Sequence, residues 1–392
     1  MFKEDRLLYI TLAIYIITNI ITATTIYYIP IKMEIFVKVI RYICYIIFIL
    51  NILKNYKNIS KQELLCLILS IIILIFTKNR NILIITLIMM SVKKLSLKKI
   101  LKVALIVYLS IYLLVILLSV VKIIPDWTYL RYGITRHSLG FIYPTDCYSI
   151  FFLITLLYLY NKEEKISIIS IVLIFIINNI LIYLTNGRMS YILINITLLV
   201  STIFKTNLIK YINRDKLQKT TKIIAYILPS IFLILTNVLV ILYVNQNSII
   251  EKVDEILSDR IELTAKAYSQ YDITLFGQKT KWYGYGGYGY LELDKDYKYN
   301  YVDNSYARSI LDYGIIFTII VIVAYTLLLV NLSKKEDYIL YSIICIVLIW
   351  AFIEPCLLNL GRNIFMLCFI DMKGSNTINV KNKKNSKKKL HI

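Results

Sequence analysis

The sequence predicts an all-α integral membrane protein of about 12 transmembrane helices, with one large outward loop that contains an amphipathic helix. Three observations predict it. Apolar residues make up 58% of the 392-residue chain and come in runs long enough to span a bilayer, about 20 residues each. Basic residues cluster in the short connections between those runs. One connection, Asn245 to Asn304, is far longer than the rest and carries more acidic than basic residues, opposite to the chain as a whole.

The plainest apolar runs are Leu7 to Tyr28, Ile100 to Ile124, Ile166 to Leu184 and Lys222 to Val244. The first is too long for the apolar core of a signal peptide, and no small-residue cleavage site follows it, so it is expected to remain as a span. Helices are expected near 7–29, 35–53, 64–78, 80–93, 100–124, 141–160, 166–184, 189–204, 222–244, 305–332, 338–354 and 357–372. With the N-terminus inside, the basic connections at 54–63, 93–99, 161–165, 205–221 and 333–337 all fall inside, as does the tail. The chain then divides into spans within 1–244, an extracytoplasmic loop at 245–304, further spans within 305–372, and a basic cytoplasmic tail at 373–392.

The net charge of +21 does not indicate nucleic acid, because of where the charge sits. Lys93, Lys94, Lys98 and Lys99 form one inner cluster; Lys205, Lys210, Arg214, Lys216 and Lys219 form another; the tail from Lys381 to Lys389 forms a third. The tail serves topology and also suits anionic lipid headgroups. Cys44, Cys66, Cys147, Cys345, Cys356 and Cys368 lie in apolar runs without metal spacing and read as small packing residues. The weight of Ile, Lys, Asn and Tyr is what an AT-rich genome encodes and fits a bacterial source.

Two outward segments carry the candidate chemistry. In the long loop, Ile249, Val253, Ile256, Leu263 and Ala267 recur at helical spacing, so 249–268 is expected to form one amphipathic helix. Arg260 falls in the middle of its apolar stripe. Such a guanidinium either snorkels to water or meets an anion such as a phosphate at the membrane surface. Arg131 and Arg136 lie in the other outward segment, Pro125 to Gly140; Arg188 sits in the turn Thr185-Asn186-Gly187-Arg188, and Arg362 near another outward turn. Basic residues are disfavoured in short outward turns. Each can be an interfacial anchor; together they suit a diphosphate, whose oxygens match the forked donors of Arg.

The stretch from Lys281 to Tyr290, KWYGYGGYGY, is no nucleotide loop, since it has neither the βαβ setting nor a P-loop lysine and serine. Its rings, among them Trp282, Tyr283 and Tyr285, suit stacking on sugars or form a mobile aromatic loop. Asp303, before Asn304, Ser305 and Tyr306, is either a helix N-cap or a chemical group. Asp146 lies inside an expected span and Glu354 at a helix end, each open to a functional or an interfacial reading. His137 is the one histidine outside the tail and cannot by itself make a Ser-His-Asp site. No metal motif is evident, and no cofactor is expected.

Several of these pieces together resemble the Wzy polymerases, which join lipid-linked repeat units into capsular or O-antigen chains. Arg136-His137-Ser138-Leu139-Gly140-Phe141-Ile142-Tyr143-Pro144 looks like that family's Arg-x-Ser-Leu-Gly-Phe segment followed by His-Pro-Asn, with Tyr143 and Thr145 in place of the His and Asn. Thr185-Asn186-Gly187-Arg188 looks like its Thr-x-Ser-Arg turn, with Gly187 for the Ser. Ser258-Asp259-Arg260-Ile261, Leu275-Phe276-Gly277, Val302-Asp303-Asn304-Ser305-Tyr306 and Tyr313-Gly314 follow the family's large outer loop. Related O-antigen ligases often carry His where Asp303 stands.

The resemblance implies a glycosyltransferase of the bacterial cytoplasmic membrane, active on its extracytoplasmic face. The donor is a polyprenyl-diphosphate-linked oligosaccharide, and the hydroxyl of a second lipid-linked unit attacks its anomeric carbon. Arg136, Arg188 and Arg260 would neutralise the leaving diphosphate, and Asp303 would accept the proton. Arg131, His137, Trp282, Tyr283, Tyr285, Asn304 and Tyr306 would contact substrate. Membrane lipid, a flippase and a chain-length regulator are the implied partners. A flippase for the same lipid-linked sugars has a similar number of helices, but it needs alternating access and often internal repeats, and no clear repeat is present. A ligase that moves glycan to another acceptor is the nearer alternative.

Overall fold

The computed structural model describes residues 3–28, 33–131, 133–206, 213–291 and 299–373. Nine helices come first: α1 Lys3–Ile21, α2 Met33–Lys54, α3 Lys61–Thr77, α4 Asn81–Val92, α5 Leu97–Val120, α6 Pro144–Lys162, α7 Ile168–Thr185, α8 Arg188–Lys205 and α9 Arg214–Val244. The long connection then holds α10 Ser248–Leu257, α11 Arg260–Gln270 and α12 Tyr288–Leu291. The chain closes with α13 Ser305–Lys335, α14 Tyr338–Ala351 and a 3₁₀ helix, Ile364–Lys373. The expected spans up to 354 each overlap one of these helices, whereas the expected 357–372 span meets only turns and the 3₁₀ helix. Among the described residues α2, α5, α7, α8, α9 and α13 are long and apolar enough to cross a membrane, and α4 and α14 are shorter apolar helices. The basic tail lies outside the described residues.

Local chemistry sets many of the boundaries. Ser60 and Glu63 form a reciprocal capping box that starts α3. Ser167 caps α7 through Ser170 N. The first helix stops at Ile21, well short of residue 29, because a run of threonines follows: Thr24 Oγ1 returns to Ile21 O, and Thr25 N and Oγ1 both reach Gly140 O. The closing helix begins at Ile364 instead of 357, since 352–363 is a string of turns. α9 starts earlier than expected, so Arg214, Lys216 and Lys219 lie on the helix and not in a loop.

Two further expectations are corrected. The segment 125–140 carries a β-hairpin, β1 Thr128–Arg131 against β2 Ile134–His137, with Tyr129 opposite Arg136. The 249–268 helix is broken at Ser258 and Asp259, whose φ values of 65° and 63° turn the chain between α10 and α11. The break is held by Asp254, which accepts from Ile261 N at 2.7 Å and Glu262 N at 3.1 Å and so supplies the cap of α11 from the helix before it. Burial then favours Ile250 and Ile261, while Ile249 and Ile256 are exposed.

Short connections make successive helices antiparallel. α6 is buried on nearly all sides from Pro144 to Leu157 and forms the centre of the bundle. The hairpin, the long connection, the start of α6 and the turns after α14 therefore meet at one end. α13 is interrupted at Gly314, whose φ of 86° and ψ of 166° leave the helix. The amides released by the break are taken by the long connection: Ile315 N donates to Thr274 O at 3.0 Å and Ile316 N to Leu275 O at 3.3 Å. This seats the loop on the bundle.

Candidate functional site

At the loop-bearing end, side chains from four separate segments form a chain of alternating guanidinium and carboxyl groups. Arg260 at the start of α11 lies 3.3 Å through Nε from Asp303 Oδ2 and 3.8 Å through Nη2 from Glu354 Oε1. Arg362 lies 3.4 Å through Nη1 from Glu354 Oε2, and its Nη2 pairs with Asp146 Oδ1 in the first turn of α6. The side chains of Arg260 and Glu354 are 14% and 7% exposed, so both groups sit where water screens little.

Backbone architecture fixes each of them. Asn304 caps α13, its side chain accepting from Tyr306 N at 2.9 Å and Ala307 N at 3.0 Å, and its amide donates to Thr236 on α9 at 2.9 Å. Asp303 is therefore not the cap. It is left free of that duty and faces Arg260. Ser305 Oγ donates to Glu354 O at 2.5 Å and accepts from Cys356 N at 2.9 Å and Leu357 N at 3.1 Å. The start of α13 thus holds the turns beyond α14 so that Glu354 meets Arg260. Arg260 is also anchored by its own donors, to Ile353 O at 3.0 Å and Leu257 O at 2.9 Å.

The electrostatics follow from this crowding. Burial, then the neighbouring Asp303 carboxylate, push the Glu354 carboxyl up to about 8. For Arg260, burial works against the charged form, but Asp303 and then Glu354 outweigh it and hold the guanidinium above its ordinary value. Arg136 on β2 is only 2% exposed; its Nε donates to Thr185 O at 2.8 Å and its guanidinium lies 5.5 Å from the Tyr143 ring centre. Burial lowers its pKa, with the like charges of Arg131 and Arg260 acting in the same direction.

The other expected site residues fall into different settings. Arg188 is exposed at the first position of α8 and, among the described residues, makes no ion pair with the carboxylates. Arg131 is on β1 at the rim of the hairpin. His137 Nδ1 lies 2.6 Å from Asp126 Oδ2, and the same carboxylate accepts from Leu139 N, closing the base of the hairpin. Trp282 anchors the loop: its Nε1 donates to Asp312 Oδ1 at 2.8 Å and Arg308 lies over its ring. Tyr283 and Tyr285 remain 46% and 41% exposed, Tyr285 stacked on Tyr299 at 4.5 Å. Tyr306 is fully buried, its hydroxyl donating to Leu348 O, so it belongs to the framework together with Asn304.

Sequence reasoning missed the aromatic layer beside the charges. Trp127 stacks on Tyr290 at 4.6 Å, Tyr129 meets Tyr143 at 4.7 Å, and Tyr28 meets Tyr288 at 4.9 Å. The rings of the glycine-rich stretch are thus partnered by rings from the α1–α2 connection and the hairpin. Gly287, at φ 65°, makes this approach possible: a Cβ there would stand 2.6 Å from the Tyr28 hydroxyl. Asp254, Asp259 and Glu262 gather at the α10–α11 break, but both Asp254 oxygens serve backbone amides, and the group reads as a cap. No protein-family model, curated protein or solved structure matches this chain.

Proposed function

We propose that the chain is a membrane glycosyltransferase that joins polyprenyl-diphosphate-linked oligosaccharide units into a capsular or O-antigen-like polysaccharide at the outer face of a bacterial cytoplasmic membrane. The observation that carries the reading is the convergence of Arg260, Asp303, Glu354, Arg362 and Asp146 at one end of an apolar helix bundle, with Arg136 close by. Buried arginines at a membrane surface suit a lipid diphosphate.

In this mechanism the donor diphosphate takes the fork of Arg260 and releases Asp303 from its ion pair. The acceptor hydroxyl attacks the anomeric carbon; the bond from that carbon to the diphosphate oxygen breaks, and the configuration inverts. The hydroxyl proton passes to Asp303. Arg136 and Arg260 stabilise the charge growing on the leaving diphosphate, while Glu354 and Asp146 orient Arg260 and Arg362. Arg188, exposed at the start of α8, guides the approach of the anion.

Purified protein given lipid-linked repeats tests the reading. Arg260→Ala and Asp303→Asn are each expected to lower chain extension by about 100-fold or more, with Arg260→Lys retaining part because charge stays while the fork is lost. Asp303→Asn leaves the Asn304 cap in place. Wild-type ladders from both variants at matched folded protein would refute the site.

A further inference from the structure

Arg308, in the first turn of α13, touches both limbs of the long connection at once. Its Nε lies 3.2 Å from Asp312 Oδ2, and its guanidinium stands 5.5 Å from the Trp282 ring centre and 4.9 Å from that of Tyr301. Trp282 belongs to the limb that enters the glycine-rich aromatic stretch, and Tyr301 to the limb that leads back to Asp303. Asp312, its side chain only 5% exposed, completes the clasp: Oδ1 accepts from Thr280 Oγ1 at 2.5 Å and from Trp282 Nε1 at 2.8 Å. The limbs also bond to each other through Asn300, whose side chain accepts from Tyr283 N at 2.7 Å and donates to Lys281 O at 2.9 Å.

This clasp ends close to the carboxylate cluster. Val302, the neighbour of Asp303, is fully buried with Ala267, Ala307 and Leu311, and Asn304 on the other side is tied to α13 as its cap. Those contacts hold the chain at Asp303, but not the limb before Val302. Tyr301 is where Arg308 grips that limb, and Tyr301 also lies within electrostatic reach of Arg362. In the transfer proposed above, Asp303 loses its Arg260 partner to the diphosphate just when it must face the acceptor hydroxyl. Its aim then depends on the chain that carries it. A displacement of about 1 Å at a reacting group can cost about 100-fold in rate.

We propose that Arg308 is a positioning residue for the glycosyl transfer: by clasping Trp282 and Tyr301 beside Asp312, it holds the 299–303 limb so that Asp303 stays aimed at the acceptor hydroxyl after Arg260 has turned to the diphosphate. The inference rests on the transfer reading and adds to it a residue outside the carboxylate cluster. Arg308 acts through Asp303 and does not itself touch substrate.

A double-mutant cycle between Arg308 and Asp303 tests it, read as rates of chain extension by the purified full chain over a range of lipid-linked repeat concentrations and expressed per folded protein. Arg308→Gln is expected to lower kcat about 10- to 100-fold with little change in KM. Arg308→Lys keeps the charge beside Asp312 but loses the planar face that meets two rings, so it should recover only part; it carries the same cycle if the glutamine variant does not fold. Tyr301→Phe keeps the ring under the guanidinium and should stay near wild type. In the Asp303→Asn background, the Arg308 change should cost less than about threefold of the residual rate, because the group it positions is already lost. A residue that only stabilises the fold would instead leave kcat per folded chain unchanged, or cut both backgrounds by the same factor. Either result, in a wild-type chain that extends polymer, overturns the positioning role and leaves the transfer reading standing. A wild-type chain that extends nothing overturns the transfer reading, and the role of Arg308 falls with it.

Discussion

At the scale of single residues, Glu354 is the most informative group. It bridges Arg260 and Arg362, and burial with Asp303 alongside raises its pKa to about 8. A carboxyl whose folded-state pKa is raised stabilises the fold fully below its ordinary range, and that contribution is lost as pH rises through the folded value. The melting temperature in detergent should therefore fall by roughly a few degrees between about pH 5 and 8 and level off above. Glu354→Gln, neutral throughout, should flatten that fall, and equal slopes for the two proteins would show that Glu354 ionises as an ordinary carboxyl. The residues of this site were only half legible. Arg260, Asp303, Asp146, Glu354 and Arg362 each stood out as charges in or beside apolar runs, which a membrane makes expensive. Their pairing was hidden, because Arg362 and Asp146 are 216 residues apart in the chain. Asp303 was ambiguous for a simpler reason: Asp and Asn are near-equal caps, and only the backbone geometry shows that Asn304 took the role.

At the scale of elements, the decisive feature is the break in α13. Gly314 and Gly277 stand back to back at φ values of 86° and 85°, so that a Cβ on Gly314 would lie 2.4 Å from Leu275 O and from Gly277 N. Both a strained φ and a backbone clash follow from any side chain there. Gly314→Ala should cost about 2 kcal/mol or more and free the loop, read as a lower melting temperature and faster proteolysis within 271–283. Ile315→Ala, at a partly exposed neighbour, should cost less; matched losses in the two variants would remove the special role of the glycine. The sequence marks both glycines but not their contact, since a helix break and a distant loop are not coupled by any periodicity. The same holds for the split at Ser258 and Asp259: the apolar stripe from Ile249 to Ala267 runs at helical spacing through the break, and the turn rests on Asp254 capping a helix it does not belong to. The β-hairpin went unread because its strands are only four residues each, too short for alternation to register.

At the scale of the whole molecule, run length and lysine placement carried most of the architecture, because a bilayer admits few alternatives to apolar helices. The expected spans up to 354 each overlap a helix, six of them long and apolar enough to cross a membrane, and the errors lie at ends and in the turns of 352–363, where threonines and caps decide. Orientation rests on charge alone. The carboxylate cluster, the hairpin and the long connection share one end of the bundle, while Lys54, Lys93, Lys94, Lys162, Lys205 and Lys334 stand where helices finish or begin at the other. If lysine-rich connections stay inside, residue 285 faces outward and residue 387 inward. Single cysteines at these positions, in a background without the six native cysteines, give the test with an impermeant thiol reagent on intact cells. Tyr285 is 41% exposed, so a cysteine there is reachable from its own side. Cys44, Cys147, Cys356 and Cys368 are buried, and their removal should be made with Ala or Ser variants that keep the bundle packed. Labelling at 285 but not at 387 is the expected outcome. Labelling at 387 alone would invert the molecule, place the carboxylate cluster in the cytoplasm, and remove the reason to seek its substrate among lipids displayed on the outer leaflet.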